Sequence, residues 1–192
     1  MDSQQNLDYF KECYYHEFDH KDKINNRVAI PAGIVPILAA SDIYLINNLK
    51  DIGEYWKLWA VLFVIVYSVT LFGTLFYIFR TLYNHKYGYT ATPQRIYDYK
   101  KSLENSGIYS EEVIKAEMLD YLSSEFAKYA TLNRKSNLSK IFYLRVVYYW
   151  IIAALIAGLL CIPAYTFGKN KDSEVSKVQI VNSIKKGGAS NE

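Results

Sequence analysis

His16-Glu17-Phe18-Asp19-His20 is the string in this chain whose residue types and spacing come nearest to chemistry. It matches H-E-x-x-H, in which two histidines one helical turn apart bind zinc and the glutamate acts as base. The spacing puts both imidazoles on one helix face. A hydrolytic zinc needs a third protein ligand, and the remaining histidine, His85, belongs to no pattern that would supply one. Lys21 and Lys23 follow closely, and the string lies in a short polar segment rather than inside an apolar run. It is therefore read as a charged, solvated helix face. No metal is assigned, and His16, Glu17 and His20 stand as the residues a metal would use.

Asp42 is the second candidate, because an ionisable group inside an apolar run marks function by default. It lines a pore, carries a proton or pairs with a cation on a neighbouring helix; or it sits near the outer end of its run and reaches water. Leu49 lies seven residues further on, about 10 Å of helix, and at that depth both readings stay open. The third candidates are two pairs of small residues, Ala29-x-x-x-Gly33 and Ala154-x-x-x-Gly158. Each puts two small side chains on one helix face, which lets helices approach closely in lipid, within the chain or between copies. There is no Gly-rich phosphate loop, no Ser/His/Asp arrangement and no paired-carboxylate site. The expectation is a protein that is not an enzyme and carries no cofactor.

The elements that must position these residues are apolar runs separated by polar stretches. In 192 residues the mean hydropathy is near zero, at −0.06, but the apolar residues are concentrated in blocks. A helix needs about 20 apolar residues to cross the hydrocarbon core. Leu58–Phe79 and Val146–Phe167 meet that length without a charge, and a chain this small cannot wrap two such helices in protein on every side. Val28–Leu49 is interrupted by Pro31, Gly33, Pro36, Ser41 and Asp42. Prolines are tolerated in membrane helices, and the short link through Lys50–Glu54 favours a helical hairpin over a re-entrant or interfacial segment. The predicted class is all-α: an integral membrane protein with three transmembrane helices and a cytoplasmic helical segment between the second and third.

Five segments follow: a cytoplasmic amphipathic helix over 1–27, a transmembrane hairpin over 28–79, a cytoplasmic helical segment over 80–145, a span over 146–167 and a mostly disordered polar tail over 168–192. Tyr55, Trp56 and Trp59, and the cluster Tyr143, Tyr148, Tyr149 and Trp150, mark headgroup levels. Lys21, Lys23 and Arg27, then Arg80 and Lys86, then Lys135, Lys140 and Arg145 flank the runs. That bias places the N-terminus and the middle segment in the cytoplasm. Lys169, Lys171 and Lys177 in the tail oppose it. The first 27 residues hold no secretory signal, so the first apolar run is its own insertion signal.

Within the wet segments, Leu7, Phe10, Tyr14 and Phe18 recur at helical spacing. Thr92-Pro93 starts a second helix that stops near Asn105-Ser106-Gly107, and Ser110 starts a third with the apolar stripe Ile114, Met118, Tyr121, Leu122 and Phe126. Such helices must pack on the N-terminal helix, a partner or the membrane surface. Val175, Val178, Ile180 and Val181 have the composition of a short strand. Cys13 and Cys161 make no disulfide framework. A net charge of +3 without a tight basic cluster argues against direct nucleic-acid binding.

A short helix, a two-helix hairpin, a helical segment opening at Thr92-Pro93, and the basic stretch Asn133-Arg134-Lys135-Ser136-Asn137 leading into a further span form a recognisable layout. Over residues 5–167 it resembles the small multi-span membrane effectors of bacterial anti-phage defence systems, those associated with nucleotide signalling or retrons. The resemblance implies a homo-oligomer in the inner membrane that perturbs or permeabilises the bilayer, triggered by a cytoplasmic sensor protein or a signal nucleotide. Two-span members end in the cytoplasm, and the third span departs from them. No site residue is carried over. The rival readings are a non-enzymatic scaffold or accessory subunit of a transporter or signalling complex, and a zinc hydrolase using the H-E-x-x-H string.

Overall fold

The computed structural model describes residues 2–83 and 85–168. The expected disordered tail and its strand-like residues lie outside this range, Gly168 excepted. The described chain is all-α. Helix α1 spans Ser3–Asn48 and passes through a short 3₁₀ turn, Leu49–Asp51, into α2, Glu54–Leu82. Helix α3 covers Pro93–Asn105 and α4 runs from Glu111 to Phe167. Three helices, α1, α2 and α4, are long and apolar enough to cross a membrane. Pro31 and Pro36 do not break α1, and Pro163 does not break α4.

Local chemistry accounts for the helix ends. Thr92 takes an extended conformation and its hydroxyl accepts from the Arg95 N–H, with Pro93 opening α3. Gly107 adopts φ +63° just past the end of α3, a conformation without strain only for glycine. Ser110 Oγ accepts from the Val113 N–H at 3.4 Å, and Glu111 and Glu112 stand in the first turn of α4, where a carboxylate suits the helix dipole.

The chain divides into two compact units. Unit 1 is formed by residues 1–33 and 75–148. In it the polar part of α4 packs on α1. Tyr14 meets Phe126 edge-on at 5.4 Å between ring centroids, and Ile24, Val28 and Leu144 form a buried cluster with Ile78 and Ile141 against it. The rings of Tyr99 and Tyr121 lie 4.5 Å apart and join α3 to α4.

Unit 2 comprises residues 34–74 and 149–192, described to Gly168. Its packing inverts that of a water-soluble bundle. Ala60, Ala154, Ala157, Cys161, Ala164, Thr70 and Thr74 are buried. Leu58, Ile65, Val69, Phe72, Ile152, Leu155 and Leu159 face outward. Little more than a quarter of each apolar window of α2 and α4 is buried. Small and hydroxyl-bearing residues let backbones approach; Leu38, Val64, Tyr67, Leu71 and Ile151 are buried among them, and many other large side chains are left to lipid. Trp59 Nε1 donates to the Leu160 carbonyl, and the Gly53 N–H donates to the Gly168 carbonyl at 2.7 Å, closing the hairpin end of this unit.

Candidate functional site

The H-E-x-x-H string lies on α1 in unit 1, with the ring centroids of His16 and His20 6.0 Å apart. His16 is mostly exposed and its Nδ1 stands 4.0 Å from Glu17 Oε1. Among the described residues no group of three or more His, Cys, Asp or Glu is placed to hold a metal ion. Glu17 is committed elsewhere, since its Oε2 accepts from Asn137 Nδ2 at 2.8 Å. Asp19 and Lys23 form an exposed ion pair, and the hydrogen bond from Lys23 is the main cause holding the Asp19 carboxyl below its ordinary range.

His16, Glu17 and His20 line one wall of a groove of about 640 Å³ between α1 and α4. Tyr9 stands on the same wall, and Arg134 and Asn137 face it from α4. That volume is ligand-sized. It brings carboxylates, imidazoles and a guanidinium into one open depression without a common focus for a single reacting atom.

Behind the groove lies a buried polar network that fastens the segment after α2. Asn133, fully buried, accepts the Gly88 N–H at 2.8 Å and donates to the Gly88 carbonyl at 3.1 Å. One side-chain amide thus satisfies both backbone groups of a residue in an irregular segment, much as a neighbouring strand would. Ser136 Oγ donates to the Lys86 carbonyl. Asn137 accepts from the Tyr87 hydroxyl at 2.7 Å and donates to the Glu17 carbonyl and carboxylate. A Cβ on Gly88 would run into the Tyr129 ring, so the close approach depends on glycine.

Lys140 continues this face of α4. It is 3% exposed, donates to Asn25 Oδ1 at 2.8 Å and stands 5.3 Å from the centre of the Tyr87 ring. Burial, then the nearby Lys21 ammonium, hold its pKa below the ordinary lysine value. Burial, then the Glu17 carboxylate, push the Tyr87 phenol up to about 12. Asn133, Asn137 and Lys140 were not among the predicted site residues. Their spacing of four and three is a polar stripe on one helix face, and that stripe was the available signal.

In unit 2, Asp42 is 7% exposed. Its Oδ2 accepts from Ser68 Oγ at 2.8 Å, and its buried Oδ1 has no hydrogen-bond partner among the described residues. Ser68 lies midway along the Leu58–Phe79 run. The carboxyl therefore faces the middle of α2 rather than the end of its own run.

The two small-residue pairs differ. Ala154 is fully buried, and a Cβ on Gly158 would stand 3.1 Å from the Tyr67 ring, so that pair packs within the unit. Ala29 and Gly33 are exposed, and a Cβ on Gly33 would meet nothing within 4 Å. Compared with protein-family models, curated proteins and solved structures, the chain has no match to any of them.

Proposed function

We propose that the chain is a membrane-embedded effector of anti-phage defence that oligomerises and perturbs or permeabilises the inner membrane on a cytoplasmic trigger. The observation that carries the reading is helical continuity. α1 and α4 each run unbroken from a polar stretch into an apolar one long enough to cross a membrane. The defence setting and the bacterial inner membrane come from the layout that residues 5–167 share with such effectors. The cytoplasmic N-terminus comes from the basic residues flanking the runs.

The groove between α1 and α4 offers a place for a sensor protein or signal nucleotide to act. The exposed face Ala29/Gly33 offers one for a second copy. Cells expressing the chain and challenged with phage should lose membrane potential, read with a voltage-sensitive dye, and Asp42→Leu should change the extent of the loss. A normal potential in fully expressing, triggered cells removes the reading.

A second reading is a non-enzymatic membrane scaffold or accessory subunit. It is favoured by the exposed apolar residues around the α3–α4 turn, Tyr97, Ile108, Tyr109 and Val113. A stable heteromeric complex recovered in mild detergent, without toxicity on expression, would select it.

A further inference from the structure

Asp42 is the one Asp, Glu, Lys, Arg or His in the stretches 34–49, 58–74 and 149–168. No cation in the apolar parts of unit 2 can pair with it. The groups that face it from the neighbouring helices are neutral: Ser68 and Tyr67 on α2, and Cys161 and Tyr165 on α4.

The hydroxyl donors nearby are already used. Tyr67 donates to the Leu38 carbonyl at 3.0 Å and Tyr165 to the Leu45 carbonyl. Ser41 donates to the Ile37 carbonyl. Thr70 and Thr74 return their hydroxyls to their own helix. One neutral hydroxyl, that of Ser68, is left to serve the carboxyl, and Oδ1 is bare. A full negative charge held that way in hydrocarbon costs far more than one hydroxyl returns. A carboxylic acid avoids the cost. Its O–H donates to Ser68 Oγ across the same 2.8 Å, the serine hydroxyl can turn to a helix carbonyl as Thr74 does, and the bare atom is a carbonyl oxygen rather than half of an anion.

We propose that Asp42 is an intramembrane proton-binding site. The packed unit holds the carboxyl protonated on Ser68. Release breaks the O–H bond, passes the proton to entering water and leaves a carboxylate that the closed α1–α2 contact cannot accommodate. Proton loss is thereby tied to parting of that contact. The proton site does not depend on the effector reading, because its test is made on purified protein.

The full chain in lipid nanodiscs is treated at neutral pH with dicyclohexylcarbodiimide, which takes up the acid O–H across a C=N bond to give an O-acylisourea, whose acyl group then migrates to nitrogen to leave a stable N-acylurea. The expected result is an adduct at Asp42 by peptide mass mapping, an infrared carbonyl band of a protonated acid that Asp42→Asn removes, and labelling unaffected by replacing choline chloride with sodium chloride. Absence of both adduct and acid band overturns the proposal. So does specific protection by sodium, which would make a metal ion the occupant. If Asp42→Asn does not fold, Ser68→Ala, which keeps the carboxyl, must shift the acid band; an unmoved band counts against the site.

Discussion

Replacing Asn133 by alanine removes two hydrogen bonds at once, one accepted from the Gly88 N–H at 2.8 Å and one donated to the Gly88 carbonyl at 3.1 Å. A net protein hydrogen bond contributes about 1 kcal/mol. The clamp on the segment after α2 should therefore weaken by about 2 kcal/mol, which raises the open population of that segment about 30-fold. Lys86, exposed and two residues before Gly88, provides a tryptic site in that segment. When opening and closing are fast relative to cleavage, the cleavage rate follows the open population. In mild detergent at low trypsin, Asn133→Ala should be cut at Lys86 about 30-fold faster than the natural chain. Ser136→Ala, which loses the single bond to the Lys86 carbonyl, should be cut about fivefold faster. Rates at exposed Lys100 and Lys101 report any general loosening. A cleavage rate for Asn133→Ala within a factor of two of the natural chain would refute the idea that this amide holds the segment.

The same segment should respond to acid. His85 Nε2 lies 2.9 Å from the Arg80 carbonyl, and burial, outweighing that bond, keeps its pKa below the ordinary 6.5, with the Lys140 and Arg80 charges acting in the same direction. The folded state therefore favours the neutral ring. Its contribution is complete above pH 6.5 and is lost as the pH falls from there towards the lowered folded value. Thermal unfolding in detergent should show a stability loss below pH 6.5 that His85→Gln reduces; an unchanged pH profile in the variant would exclude His85 as its source. The two small-residue pairs should separate by oligomer mass and stability. Gly158→Leu drives a side chain into Tyr67 and should cost about 1–3 kcal/mol of stability. A Cβ at Gly33 meets nothing within 4 Å among the described residues, so Gly33→Leu should not lower thermal stability while reducing the mass of any homo-oligomer seen in native mass spectrometry. Equal stability losses would remove the distinction.

Composition alone makes the apolar helices readable, because long uncharged runs such as 58–79 and 146–167 have one stable home. The ends of α3 and the start of α4 are readable as well, since Thr92-Pro93 and Ser110 act through hydrogen bonds within four residues. Contacts across long separations are not. The Asn133–Gly88 clamp joins residues 45 apart, and nothing in a single sequence states which way an amide on a long helix will face. Asn133, Ser136 and Asn137 stand beside Arg134 and Lys135 and read as a wet, basic stretch. Two of the three amides and hydroxyls are instead buried. Asp42 stands out by its type, but its depth is ambiguous along its own helix. The position of Ser68 on the neighbouring helix resolves where the carboxyl faces. The H-E-x-x-H string shows the converse: its local spacing is correct, and its buried glutamate is occupied by Asn137.

Directed polar contacts between helices recur in both units, beside apolar packing in unit 1. In lipid, burying a leucine against a helix gains little over leaving it against an acyl chain, so packing rests on close backbone approach and interhelical hydrogen bonds. Unit 2 has this character, with alanines and threonines among its most buried residues and many large side chains outside. Its directed interhelical contacts include Ser68–Asp42, Tyr67–Leu38, Tyr165–Leu45 and Trp59–Leu160. In unit 1, the amides of Asn133 and Asn137 and the ammonium of Lys140 serve the same purpose at buried positions. A contact surface of that kind has few intermediate arrangements, because losing one partner leaves a buried polar atom bare. Two-state behaviour follows more readily than gradual deformation.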